Sequence, residues 1–404
     1  MRIAIIGAGA AGCFAAANIP YKQGREVVIF EKTGKPLQKV KISGGGRCNV
    51  THRLFDIPEL IKKYPRGKNF LKKTLHRFTP EATIDWFEQH GVNLKAEADG
   101  RMFPVTDSSQ TIIDAIWSAL QRNKTLIHYH KSVTQILPVG AEFKISFADD
   151  TEYMADNVLV ACGGFPKKEQ YQWLLQLGHS IKEPVPSLFT FNLPKHPIIE
   201  LMGVSVSNVN VKILNTKISE TGPILITHWG LSGPAVLRAS AWGAREINEM
   251  NYHFKARVNW LGDVSEDELK SRIEEKRMYE GGSFVNDRNE WELPKRLWEY
   301  LLQEAGIKEK TRWGDLKSFS QNQVIELLLR QTFEVNGKTT YKEEFVTSGG
   351  IELSEINPET MESRIVPGLY FAGEILNVDG ITGGFNFQHA WSSGWLFAQK
   401  FNSR

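Results

Sequence analysis

Glycines at positions 7, 9 and 12 in GAGAAG, and three more at 44–46 in KISGGGRCNVT, leave bare backbone at two places in the first fifty residues. Each glycine costs roughly 1 kcal/mol relative to alanine in regular structure. Such runs are kept where a turn, a close approach or a ligand needs the missing Cβ. Bare N–H groups at the start of a helix bind phosphate oxygens. Beside the second run, Arg47 offers a cation to offset phosphate charge, and Ser43 and Asn49 offer hydrogen-bond donors. The chemistry open to these residues is the cradling of a phosphate-bearing ligand. No Ser/His/Asp set, paired carboxylates or Walker sequence accompanies them to argue for hydrolysis or phosphoryl transfer.

The elements that must position the first run are legible. RIAIIG is a short, continuously apolar run, as expected of a strand buried on both faces. CFAAANI, beyond the glycines, reads as a small-residue helix, and EVVIF as a second buried strand ending at Glu31. In this strand–turn–helix–strand setting, Gly7 makes the tight turn and Gly9 admits a pyrophosphate, while Gly12 lets the helix pack on the sheet. Glu31 lies 19 residues after Gly12, close to the offset of about 20 for the carboxylate that accepts ribose hydroxyls. An acid there repels a 2′-phosphate, so the expected nucleotide is FAD or NAD rather than NADP. Near the other end of the chain, LYFAG reads as another buried strand. Glu374, an Asp379-Gly380 turn and Gly383-Gly384 follow it. A helix is expected from about Asn386, with Phe387, Ala390, Trp391, Gly394, Ala398 and Phe401 on its inner face. Its N-terminus is a second anion-receptive end, suited to the negative charge of a reduced flavin.

The ordered blocks GAGAAG, KISGGGRCNVT, THWGLSGPAVL, VTSGGI, TMESR, GLYFAGE and GGFNFQHAWSSG resemble the bacterial BaiN-type flavoproteins, NAD(P)- and FAD-dependent oxidoreductases. The resemblance covers essentially the whole chain. It implies an α/β fold: a Rossmann-like FAD-binding domain with an inserted β-barrel-like domain that itself carries a helical insertion. It also implies that FAD is bound by the Gly7-to-Gly12 turn, which includes Ala10 and Ala11, and by Glu31 with its neighbour Lys32. The 43–49 loop (Ser43, Gly44, Gly45, Gly46, Arg47, Cys48, Asn49) belongs to the same set. So do Gly373-Glu374 and the 379–386 segment with Asp379, Gly383, Gly384, Phe385 and Asn386. ADNVLVACGG supports the same domain, with Ala161, Gly163 and Gly164 at a small-residue turn near the flavin. Relatives often carry a bulky apolar residue where this chain has His389, which leaves the role of that histidine open.

Composition sets the bounds. At 404 residues more than one domain is expected. Four prolines in the sixteen residues KEPVPSLFTFNLPKHP mark a domain crossing. The expected plan is an FAD-binding domain over 1–186 and 347–404, a β-barrel-like domain over 187–262 and 332–346, and a helical insertion over 263–331. A net charge of +3, spread along the chain, gives no ground to expect a nucleic-acid partner. Cys13, Cys48 and Cys162 stand far apart, which fits a reducing compartment and neither a disulfide framework nor a metal site. His128 and His130 are placed to share one strand face, with no acid or cysteine at ligand spacing. The apolar N-terminal run is under the roughly 20 residues of a membrane span and carries the glycine fingerprint, so a cytoplasmic protein without a membrane partner is expected.

No second GxGxxG follows residue 12. A nicotinamide donor, NAD(P)H, is therefore expected only as a transient co-substrate of the flavin, alongside a small-molecule substrate entering between the two domains. THWGLSGP is the candidate substrate wall, with His228 as acid, base or structural residue. Arg101 stands either for an anion anchor or for a structural ion pair. Three rival readings stay open: a flavoprotein acting on RNA, a thiol–disulfide flavoreductase using Cys48, and a flavin-binding module without turnover.

Overall fold

Where β-branched runs are bounded by glycine or charge, the chain forms strands, and five of these make one parallel sheet. In the computed structural model, which describes residues 1–262, 264–287, 291–339 and 346–402, their order is Leu369–Phe371, Asn157–Val160, Arg2–Ile6, Glu26–Phe30, Leu126–His128. Ile3 sits opposite both Val27 and Asn157, in register on either side. The first strand is central. The chain proceeds from it outward to 26–30 and 126–128, then returns to its other side at 157–160. The crevice where a strand order reverses, outside the carboxyl ends of the strands, is the place such a sheet offers a ligand.

Two compact units divide the chain, Met1–Ser187 with Tyr341–Arg404, and Leu188–Thr340. In the first, the helices Ala10–Ala17, Ser109–Arg122 and Phe385–Gln399 contribute buried residues to the same apolar core as the sheet. Gly394 shows how close two of them come, because a Cβ there would lie 2.6 Å from the carbonyl oxygen of Ala11. A meander of Val133–Val139, Glu142–Phe147 and Glu152–Ala155 is antiparallel. The two histidines are not arranged as the sequence led one to expect. His128 ends the edge strand and stacks on Phe30, whereas His130 occupies a left-handed turn at φ 58°.

The second unit is built on one antiparallel sheet of seven strands, with Gln331–Asn336 at one end of the order and Lys338–Thr339 at the other. Those two end strands are separated in sequence only by Gly337, so the sheet's edges are drawn together and it rolls into a barrel-like form. Helices Glu266–Tyr279, Lys295–Glu304 and Ser318–Arg330 bury Leu269, Leu297, Trp298 and Leu328 in the same core as Trp260 and Phe333. His228 is exposed at the tip of the Ser219–Thr227/Gly230–Ser232 hairpin, its ring beside that of Trp229.

Candidate dinucleotide site

Every strand of the parallel sheet that carries an expected site residue delivers it at its carboxyl end: Gly7 after Ile6, Glu31 after Phe30, Ala161 after Val160, and Gly373 shortly after Phe371. The three fingerprint glycines have three different physical reasons. Gly7 has φ +107°, and a Cβ on it would meet the Ala161 carbonyl oxygen at 2.6 Å. At Gly12 a Cβ would lie 2.1 Å from the Gly7 oxygen. At Gly9, where the backbone is extended, a Cβ would meet nothing within 4 Å. That open space adjoins the start of the Ala10–Ala17 helix, which no side chain caps. Its first-turn N–H groups, among them those of Ala10 and Ala11, lack intrahelical acceptors and suit a phosphate.

The Glu31 carboxylate is buried and already oriented. One oxygen accepts from the Ala8 N–H at 2.9 Å, the other from the N–H and hydroxyl of Thr33 at 2.8 Å. An ionised carboxylate has about four lone-pair sites, so ribose hydroxyls remain within its capacity. Lys32 is exposed beside it, its ammonium 5.9 Å from the Phe165 ring.

KISGGGRCNVT is not a simple loop. Gln38–Gly46 begins as a helix and breaks at Ser43. Gly44, Gly45 and Gly46 then follow in left-handed conformation, with φ 57°, 68° and 84°, a run that only glycine adopts readily. A Cβ at Gly45 or Gly46 would meet nothing within 4 Å, so both backbones stand clear. The side chains around them behave differently from what the sequence suggested. Ser43 Oγ donates to the Val40 carbonyl at 2.9 Å. Arg47 lies 2.6 Å from Glu97 and 3.6 Å from Asp107, over the Phe103 ring, so its charge is already engaged. Cys48 is fully buried in the core, and burial pushes its thiol up to about 12. Burial of this kind disfavours the thiolate that disulfide exchange requires.

The distal segment closes on this region. In the amide orientation that satisfies both neighbours, Asn49 donates to the Thr51 carbonyl at 2.9 Å and accepts from the Gly384 N–H at 3.0 Å. Gly384, at φ +89°, is the N-cap of the C-terminal helix and approaches Thr51 so closely that a Cβ would lie 2.6 Å from its oxygen. Asn386 bonds both backbone groups of Gly380, at 2.8 and 2.9 Å, bracing the loop between them. Phe385 stacks on His52, and its carbonyl accepts from the Tyr64 hydroxyl. Gly383 is held at φ +131°. Asp379 is fully buried in a bidentate ion pair with Arg66 and accepts from Ser187; its role here is to fix the loop.

Glu374 stands beside the Gly163-Gly164 turn. It accepts from the Thr347 N–H at 2.9 Å and from Lys39 at 2.7 Å. Sequence reasoning missed Lys39 and Thr347, because nothing local to QKVKI or VTSGG announces a carboxylate more than twenty residues away. The Cys162 thiol next to this turn is pushed up to about 12 by burial. Around Glu374, the hydroxyls of Thr347 and Ser348 and the side-chain oxygen of Asn377 are buried without hydrogen-bond partners among the described residues. Orphaned polar atoms of this kind fit a site completed by a polar ligand.

His389 has a definite position. Its Nε2 donates to the Gly373 carbonyl at 3.2 Å, while Ser393 Oγ accepts from the Gly373 N–H at 2.9 Å. The C-terminal helix thus pins both backbone groups of the turn after Leu369–Phe371. Burial pushes the imidazole down to about 4, below its unfolded value of about 6.5. Between those values the unfolded chain binds more protons, so stability falls as pH drops from 6.5 towards 4. Chemical denaturation at pH 7 and pH 5 is expected to show a loss that is about 2 kcal/mol smaller in His389→Leu than in the wild type. Parallel pH profiles would remove the buried-neutral assignment.

Arg101, the other open residue, pairs with Asp99 and Glu97 at 2.7 and 2.8 Å, the structural alternative. Among the described residues no helix is long and apolar enough to cross a membrane.

A switch-point crevice, an uncapped glycine-turn helix and a buried acid at the end of the second strand define a Rossmann-type dinucleotide-binding enzyme. The model of the HI0933-like protein Rossmann domain matches residues 1–400, and the chain belongs to this family of FAD-dependent oxidoreductases. It is 33% identical to the ribosomal RNA dihydrouridine synthase of Escherichia coli K12, over 98% of this chain and 96% of that protein. It is 28% identical to the 3-dehydro-bile acid delta(4,6)-reductase of Clostridium scindens, over 98% and 97%. Among solved structures, the 3-ketosteroid-delta4-(5alpha)-dehydrogenase of Rhodococcus jostii RHA1 superposes with a TM-score of 0.51 at 11% identity, over 98% of this chain and 96% of that one. At that identity the likeness speaks for the fold.

Proposed function

We propose that this enzyme saturates a carbon–carbon double bond conjugated to a ring carbonyl, and that the ring is the uracil of an RNA. The observation that carries the reading is the full-length likeness to a relative named for dihydrouridine formation in ribosomal RNA, at 33% identity. The second relative, named as a bile acid reductase, points to the same reaction class. In uracil, as in a 3-oxo ring with a Δ4 double bond, the alkene is polarised by a carbonyl, so a hydride adds at the β carbon and a proton at the α carbon. This reading replaces a small-molecule substrate with RNA, against the expectation drawn from net charge alone.

Bound FAD supplies the hydride, and NAD(P)H is the proposed source of its electrons. The residues that would hold FAD are Gly7 to Gly12 and Glu31 at the nucleotide end, with Gly44 to Gly46, Gly163-Gly164, Glu374 and Gly383 to Phe385 further along. The backbone N–H groups of the first helix neutralise the pyrophosphate, and Glu31 fixes the ribose. The uncapped start of the C-terminal helix favours negative charge developing near it.

The test is anaerobic. Enzyme loaded with FAD is mixed with NADH or NADPH and its absorbance followed; the reduced enzyme is then given a uridine-containing ribosomal RNA fragment, and the nucleosides are read by mass spectrometry. Bleaching by one nicotinamide and a dihydrouridine peak are expected. If the reduced enzyme leaves every uridine intact, the RNA reading fails; if neither nicotinamide bleaches the flavin, the donor assignment fails.

A further inference from the structure

Among the described residues, the hydroxyls of buried threonines and serines are bonded, with two exceptions side by side. Thr51 donates to Gln388, Thr74 to Phe70 and Pro358, Ser109 to Lys41 and Ser392 to Phe78, and the other buried threonines and serines are bonded likewise. Thr347 and Ser348, in the strand Val346–Ile351, are fully buried, and neither hydroxyl has a partner among the described residues. A hydroxyl taken out of water and left unbonded opposes folding, so its retention points to a group outside the chain that completes it.

The two glycines that follow have a different reason. A Cβ at Gly349 would lie 2.6 Å from the Glu183 carbonyl oxygen, and one at Gly350 would lie 2.3 Å from that of Ile375. They let the strand run close between Ile181–Ser187, its antiparallel partner, and the backbone at Leu376. The hydroxyls are left over from this packing, and they point to opposite faces. Ser348 lies opposite Val185 and Val346 opposite Ser187, so Ser348 shares the face of Ser187, whose hydroxyl donates to Asp379. Thr347 is on the other face. A Cβ at Gly164 would lie 2.6 Å from Thr347 Oγ1 and 3.3 Å from Glu374 Oε1. The threonine side chain therefore stands in the room that Gly164 leaves, beside the carboxylate. Its N–H donates to Glu374 at 2.9 Å, which fixes the backbone while the hydroxyl stays unbonded.

Sheet order says which part of a dinucleotide reaches this place. Strand 2–6 stands between 26–30, which ends at Glu31, and 157–160, which leads to Gly163-Gly164. Strand 369–371, leading to Gly373-Glu374, comes next. With a ribose at Glu31 and the pyrophosphate at the start of Ala10–Ala17, the rest of the ligand runs on to the ends of 157–160 and 369–371. Those ends are two and three strand spacings, roughly 10–15 Å, from the strand that carries Glu31. The rest of the ligand is the flavin half of FAD.

We propose that the Thr347 hydroxyl is a positioning group that hydrogen-bonds the flavin half of bound FAD. A hydroxyl both donates and accepts, so it matches the polar groups of that half. The inference rests on the placement of FAD in the crevice given above, adds a contact from outside the glycine turns, and does not depend on which substrate is reduced.

FAD-loaded, full-length wild type is compared with Thr347→Val and Thr347→Ser. Each is diluted, and FAD release is followed by the rise in flavin fluorescence, at a temperature where circular dichroism shows the protein folded. Valine keeps the shape and removes the hydroxyl; serine keeps the hydroxyl and removes the methyl. No protein hydrogen bond is lost in Thr347→Val, so it is expected to fold. Thr347→Ala is carried as a second variant without the hydroxyl and is expected to behave as Thr347→Val does. Thr347→Val is expected to release FAD about 3- to 10-fold faster than the wild type, as for one lost hydrogen bond, with Thr347→Ser within about 2-fold of the wild type. Wild-type release by Thr347→Val would mean that a buried water satisfies the hydroxyl, and would overturn the proposal. Equal acceleration in Thr347→Val and Thr347→Ser would overturn it too, because packing rather than the hydroxyl would then hold the cofactor. Gly9→Val separates these failures from failure of the underlying placement. If it keeps stoichiometric FAD, the crevice is not the cofactor site and both fall; if it loses FAD while Thr347→Val behaves as wild type, only the Thr347 contact falls.

Discussion

Valine in place of Gly9 is expected to give a folded protein that does not retain FAD, while valine in place of Gly12 is expected to give little folded protein at all. Both residues belong to one fingerprint, and the difference follows from what a Cβ would meet. At Gly12 it would sit 2.1 Å from the Gly7 carbonyl oxygen and 3.2 Å from Ile5 Cγ2. The first obstacle is backbone, and it cannot swing aside as a side chain does. Overpacking a buried site costs about 1–3 kcal/mol, and a clash with backbone where the first strand turns into its helix belongs at or above the top of that range. At Gly9 the space is open and the backbone extended at φ −84°, ψ −170°, so the chain accepts the side chain easily. The isopropyl group would then fill the open space where the pyrophosphate is proposed to lie. Flavin absorbance per protein, read beside a circular-dichroism melt, separates the two outcomes. Stoichiometric FAD in a folded Gly9→Val protein would show that the cradle lies elsewhere.

The same contrast explains what was legible from sequence. The glycine fingerprint and Glu31 were readable because local backbone geometry dictates both the spacing and the residue types. The start of the C-terminal helix was readable because a 3.6-residue apolar period runs through it. The short helix before Gly44 was not, since five residues of QKVKI carry too little periodicity, and the left-handed run after it is visible only as a need for glycine. Arg47 illustrates a second limit. Its type suits a phosphate, but Glu97 and Asp107 reach it from about fifty and sixty residues away, and no sequence pattern announces that. His389 read as an anomaly because its partner is a backbone carbonyl on another element.

The pairing least visible in the sequence also has a large expected effect on stability. Arg66 and Asp379 are 313 residues apart, joined through Nε–Oδ1 at 2.5 Å and a second parallel bond, with the Ser187 hydroxyl donating to the same carboxylate at 3.1 Å. Removing one member of a buried pair typically costs about 3–5 kcal/mol, because the charge left behind has lost its compensation. The two single variants are not equivalent. Arg66 is 16% exposed, while Asp379 is completely buried. Asp379→Ala strands a guanidinium that can still reach water, so its cost belongs near the lower end. Arg66→Ala strands a carboxylate that cannot, and its cost belongs near the upper end. Urea denaturation is expected to rank them in that order. The double variant Arg66→Met/Asp379→Leu is expected to be less destabilised than Arg66→Ala, since apolar side chains leave no orphaned charge. A reversed ranking would mean that the pair is solvated in solution. FAD retention should fall in the same order as stability, because this pair anchors the loop from which the C-terminal helix starts.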